Sequence, residues 1–165
     1  MIAPERGKVI FDYTRAAMRG ESAFTPGERE LIYAFGSRLN ACTYCFDMHS
    51  RGAIGLGIDE KLFDELMEDI DSSSADEKLK PVLHLVRKLT LTPSRVTQSD
   101  VDKILAAGWD ERAYFDAISV CALSNFMNRL VDGTGTAMNE DMMREFGKRI
   151  AECGYQPQRP PQAAD

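Results

Sequence analysis

Two thiols and an imidazole are gathered within the segment Cys42-Thr43-Tyr44-Cys45-Phe46-Asp47-Met48-His49. On an α-helix, at about 100° per residue, Cys42 and Cys45 fall within about 60° of each other. His49 returns to within about 20° of Cys42, so the three side chains share a face. Thiolate is the nucleophilic form of cysteine, and the free N–H groups and dipole of a helix N-terminus favour it. The C-x-x-C spacing permits a second step, because a sulfenic acid on one sulfur condenses with the other to a disulfide. A histidine one to two turns on can accept or relay the proton. Glu30, with eleven residues between it and Cys42, adds a carboxylate. Two thiols, one imidazole and one carboxylate form a set able to reduce a peroxide.

Positioning these groups requires helices. Ahead of the motif, Thr25, Pro26 and Glu28 form a capping box with proline at the first helical position. Leu31, Ile32, Phe35 and Leu39 then predict a helix to about residue 40, which would carry Glu30. A turn at Leu39-Asn40 would place the cysteines at the start of the next helix, which Gly55 and Gly57 should end. Val9, Ile10, Tyr13, Ala16 and Ala17 predict an earlier helix over 8–19. Asp59 and Asp76 are candidate caps for helices bearing Leu62–Ile70 and Leu79–Leu89, the second stopping before Pro93. Thr97 with Asp100 predicts a further start, closed by Gly108. Asp110 should cap a helix over about 111–131, ended by Gly133 and Gly135. That segment is apolar on most faces, which suits burial in the domain or at a subunit interface. Asn139 should cap a last helix to about Cys153, and the Pro- and Gln-rich residues 156–165 read as a disordered tail. No period-two alternation suggests a strand. The expectation is one all-α domain over 1–155.

Glu30, Cys42, Cys45 and His49, at this spacing, resemble the redox motif of the alkylhydroperoxidase AhpD-like family, which also includes the carboxymuconolactone decarboxylases. The stretch Asn125-Phe126-Met127-Asn128-Arg129-Leu130-Val131-Asp132-Gly133 is similar to the peroxidase-related branch, and the resemblance covers roughly residues 22–135. It implies an AhpD-like helical bundle and a thiol-dependent peroxidase. Small organic hydroperoxides would be reduced through a dithiol/disulfide cycle, recharged by a thiol electron donor whose identity stays open. It further implies that Cys45 attacks the peroxide, that Cys42 resolves, and that Glu30 and His49 relay the proton from Cys45 through water. The residues alone leave the reverse order open, with Cys42 attacking as in thioredoxins. Tyr44 departs from the pattern, since some members carry histidine there. The family also implies a trimer or hexamer, with no cofactor and no metal.

Other chemistries are less well served. C-x-x-C with His49 supplies three zinc ligands, but no second C-x-x-C or H-x-x-x-H provides a fourth. Phe46 occupies the position where c-type haem attachment needs histidine. A protein-disulfide reductase, a non-enzymatic redox or zinc module and a lactone decarboxylase remain as alternatives. Cys121, Cys153 and His84 read as packing or interface residues. Asn125, Asn128, Arg129 and Asp132, at i, i+3, i+4 and i+7, form a polar stripe. It could be a solvated face, a subunit contact or a wall beside the thiols.

Composition narrows the partners. A net charge of −6 argues against a nucleic-acid surface, which needs clustered Lys and Arg. No apolar run approaches the ~18 residues of a membrane span. The first residues lack the apolar core of a secretory signal, so the expected compartment is the cytoplasm, where thiols stay reduced.

Overall fold

The structure is a computed structural model that describes residues 3–156, and all its regular elements there are helical. In chain order they are α1 (Pro4–Arg19), α2 (Pro26–Leu39), α3 (Thr43–Gly55), α4 (Leu62–Glu68) and α5 (Lys80–Leu91). A 3-10 turn at Pro93–Arg95 leads to α6 (Gln98–Ala106), α7 (Glu111–Thr134) and α8 (Glu140–Cys153). The tail expected at 156–165 lies, beyond Gln156, outside the described residues.

Local chemistry sets most boundaries. Thr25 Oγ1 accepts from the Glu28 amide at 3.2 Å while Glu28 accepts from the Thr25 amide at 2.7 Å, which fixes the start of α2. Asp110 and Asn139 accept from the amides three residues on, at 2.8 and 2.9 Å. Asp100 accepts from the Thr97 amide at 2.8 Å. Two expected caps act differently. Asp59 and Asp76 accept from amides two residues on and close turns, and the helices begin later, at Leu62 and Lys80. α7 runs through Gly133 and stops at Gly135, whose φ of 64° places it in the left-handed region.

The helix at the centre is α2, not the long α7. Ten of its residues are buried, from Gly27 to Ser37, because α3, α5 and α7 all pack on it. Phe35, Leu31, Ile32, Leu83, Val86 and Ile104 form the core around it. On α7 only one side is buried, through Ala117, Val120, Cys121, Ser124 and Asn128, while Phe115 and Phe126 face solvent. The face expected on α1 is also largely exposed, and Met18 is its only buried residue.

α8 presses closely on α3. A Cβ on Gly52 would sit 2.6 Å from Ile150 Cγ2, and one on Gly147 would sit 2.5 Å from the Arg51 Cβ. Only glycine at these positions lets the two backbones approach so near. Tyr155, just past α8, is thereby brought over Glu30.

Candidate active site

The turn before the motif satisfies two helices at once. Ala41 N–H bonds to Arg38 O and Cys42 N–H to Ser37 O, both at 3.0 Å, the double bond of a Schellman C-cap. Ala41 occupies the left-handed position, at φ 58°. Cys42 then serves as the N-cap residue of α3, and its carbonyl accepts from the Phe46 amide at 3.0 Å. Cys45 and His49 follow on the first two turns of that helix, one turn apart.

Each of the four expected residues is buried. Cys42 and Cys45 are free thiols, each 1% exposed, and Glu30 and His49 are buried beside them in the same core. Glu30 Oε2 lies 2.6 Å from His49 Nδ1. Its Oε1 takes an ion pair from Arg19 at 2.7 Å, and the Tyr155 hydroxyl donates to both oxygens, at 3.0 and 3.2 Å. A carboxylate without a proton only accepts, and a hydrogen on His49 Nδ1 suits this contact. The lone pair of Nε2 is then available as a base. Tyr33 stacks on the imidazole with centroids 3.5 Å apart, holding the plane of the ring.

Burial pushes both thiols up from their ordinary values, against the pull expected of a helix N-terminus. The two sulfurs differ in their partners. For Cys45, the Cys42 and Asn128 side chains pull back toward the thiolate, while the Asp132 charge adds to burial. For Cys42, the Cys45 amide pulls back toward the thiolate, while the Asp132 and Cys45 side chains add to burial.

Asn128 is held in one orientation. Its Oδ1 accepts from Asn40 Nδ2 at 2.8 Å, and its Nδ2 donates to Ser37 Oγ at 3.0 Å. Ser37 in turn donates to Tyr33 O, and Asn40 also donates to Asn125 Oδ1. The second amide hydrogen of Asn128 is left for the Cys45 sulfur. The stripe Asn125, Asn128 and Asp132 is therefore a wall beside the thiols, and Arg129 stays exposed, bonding back to Asn125.

Sequence reasoning missed Arg19, Tyr155, Tyr33 and Asn40. No periodicity or motif joins Arg19 or Tyr155 to Glu30, which lies 125 residues before that tyrosine. Cys153, read as a packing residue, is exposed at the end of its helix, and His84 is not in the core but exposed, pairing with Asp71 at 2.8 Å. Cys121 is buried as expected, 3.4 Å from Thr90 Oγ1. Tyr44 directs its hydroxyl to Met138 Sδ at 3.6 Å. Among the described residues no three His, Cys, Asp or Glu side chains are arranged to hold a metal ion. A groove of about 730 Å³ runs along the far side of α3, past Phe46, Arg51, Phe63 and Lys148, and none of the four motif residues lines it.

Comparison with known proteins places this arrangement. The model of the carboxymuconolactone decarboxylase family matches residues 4–88. The uncharacterized protein YdfG of Bacillus subtilis is 30% identical over 131 residues, covering 78% of this chain and 86% of that one. The crystal structure of an uncharacterized peroxidase-related protein from Silicibacter superposes with a TM-score of 0.78 at 24% identity, covering 87% of this chain and 75% of that one. An alkylhydroperoxidase AhpD core protein from Ralstonia eutropha, also uncharacterized, gives 0.78 at 21% identity, covering 88% and 76%.

Proposed function

The chain belongs to the carboxymuconolactone decarboxylase family and has its AhpD-like helical fold, and from that premise we propose that it is a thiol peroxidase acting on small organic hydroperoxides. The observation that carries the proposal is the buried Glu30–His49 pair at 2.6 Å, with His49 on the same helix as two buried free thiols, one turn after Cys45 and two after Cys42. In the resting state burial keeps Cys45 largely protonated, so attack needs a base. His49 Nε2 takes the proton, directly or through one water, and Glu30 stabilises the imidazolium.

The Cys45 sulfur attacks the outer peroxide oxygen. The S–O bond forms, the O–O bond breaks, and the alcohol leaves with the relayed proton. Cys42 then attacks the sulfenic sulfur, the S–S bond forms, and water departs. A thiol donor returns two electrons and two protons. Cys45 is assigned the attack because the Asn128 and Cys42 side chains both favour its thiolate, while the Asp132 and Cys45 side chains both favour the protonated form of Cys42. Burial of both sulfurs at 1% exposure favours a small peroxide over a bulky protein disulfide. The chain works as a homo-oligomer in this reading, and no described helix is long and apolar enough to cross a membrane.

The test is a titration of free thiols before and after one equivalent of cumene hydroperoxide. Wild type should lose two thiols to a mapped Cys42–Cys45 disulfide. Cys42→Ser should stop at a sulfenic acid on Cys45, and Cys45→Ser should not react. Unchanged thiols in wild type would refute the peroxidase reading.

A further inference from the structure

Glu30 is more thoroughly held than a relay carboxylate requires. Its four approaches are Arg19 Nη2 at 2.7 Å and Tyr155 Oη at 3.0 Å on Oε1, then His49 Nδ1 at 2.6 Å and Tyr155 Oη at 3.2 Å on Oε2. The two oxygens offer about four lone-pair sites, and each contact here suits a carboxylate that carries no proton. Arginine keeps its charge at every accessible pH, so the ion pair persists. Arg19 is itself fixed, since it donates to Ile150 O at 3.0 Å and stacks over the Tyr155 ring at 5.0 Å.

The chain builds this clamp from its two ends. Arg19 closes α1. Tyr155 follows Gly154, whose φ of 60° turns the chain out of α8 and over the site. A Cβ at Gly154 would stand 2.8 Å from Arg19 Nε, so glycine there makes both the turn and the room for the guanidinium.

We propose that Arg19 and Tyr155 are positioning residues of the relay: they hold Glu30 as an anion and so fix the His49 proton on Nδ1, leaving Nε2 free for the Cys45 proton. The proposal rests on the peroxidase reading only in naming that proton's source. Its physical basis is the alternative state. Without Arg19, the buried Glu30–His49 pair carries an unbalanced negative charge, which burial disfavours. The pair relieves it by letting Glu30 take a proton and donate to Nδ1. A neutral His49 then carries its own hydrogen on Nε2 and presents Cys45 with a donor instead of a base. Loss of the Tyr155 hydroxyl weakens the hold in the same direction.

The chain has only two histidines, and His84 is exposed, so 15N-labelled histidine reports His49 separately. In wild type His49 should show the Nδ1–H tautomer. Arg19→Met and the milder Tyr155→Phe should both introduce the Nε2–H form. In a Cys42→Ser background, each should slow alkylation of Cys45 by iodoacetamide at neutral pH about tenfold, the usual scale for losing an orienting partner. The deficit should close at alkaline pH, where Cys45 ionises without help. A wild-type Nε2–H tautomer would overturn the proposal. So would variants that lose thermal stability but keep the parent tautomer and pH profile, the result expected of a purely structural role. Neither readout uses peroxide. A wild type inert to cumene hydroperoxide would therefore defeat the peroxidase reading while the tautomer decides the clamp.

Discussion

At the scale of single residues, the thiols are governed by a contest between burial and hydrogen bonding. A helix N-terminus alone favours thiolate. Here removal from water is the larger effect, and it raises the proton affinity of Cys45 despite the opposing pull of the Cys42 and Asn128 side chains. The sign follows directly. A raised folded value means the nucleophilic form grows in only above the ~8.5 of a free thiol. Cys45 alkylation in reduced protein should therefore rise with pH through a midpoint above that value. Asn128→Ala removes a donor to the thiolate, so its midpoint should lie higher still. It also strips partners from Asn40 and Ser37, at a cost of about 1–3 kcal/mol in urea unfolding. Peptide-resolved alkylation across pH checks the first effect. A midpoint in Asn128→Ala equal to or below wild type would show that this amide does not serve the sulfur.

The elements were legible in the sequence wherever their ends are set by neighbours along the chain. Thr25 with Glu28, Asp110, Asn139 and Gly135 all act within three or four residues, so their chemistry can be read locally. The same locality made Glu30, Cys42, Cys45 and His49 recognisable as a group. Burial was less legible, because it depends on what packs opposite. The apolar face of α1 and one side of α7 stay largely exposed among the described residues, whereas α2, mixed in composition, is enclosed even at Arg29 and Glu30. Tyr155 reaches the site through the α3–α8 contact and Arg19 from the end of α1, and no spacing encodes either approach. Ala41 is a local exception of another kind. It holds the left-handed place of the α2 C-cap, where glycine is usual, at about 1–2 kcal/mol for an L-residue. Replacement by glycine removes that strain and adds roughly 0.4–1 kcal/mol of unfolded-chain entropy. Ala41→Gly should thus stabilise the protein by about 0.5–1 kcal/mol, read as a higher urea midpoint at unchanged slope. A lower midpoint would mean that the turn is not strained.

At the scale of the whole molecule, the exposed side of α7 is the feature a monomer leaves unexplained. Phe115 is 67% exposed, Phe126 50% and Leu130 42%, and on α1 Val9 and Tyr13 stand at 68% and 49% beside them. Val9, Ile10, Tyr13, Ala122, Leu123 and Phe126 enclose an apolar groove of about 350 Å³. Isolated exposed apolar residues are ordinary, but a contiguous set on two adjoining helices marks an association surface. A second copy of the chain is the occupant that fits the expected homo-oligomer, because in a hexamer with two-fold axes one patch can serve both partners. The opposite side of the same helix carries Asn128 against Cys45, so association would also brace the wall of the thiol site. Sedimentation of wild type at micromolar concentration should give a multiple of the 18.4 kDa chain, with thermal stability that rises with concentration. Phe126→Asp combined with Tyr13→Asp places two charges where apolar contact is expected. It should reduce the mass to that of one chain and abolish the concentration dependence, while α-helical circular dichroism is retained. A wild type already at 18.4 kDa, with no concentration dependence, would mean that this face stays in water and that α1 and α7 meet some other need.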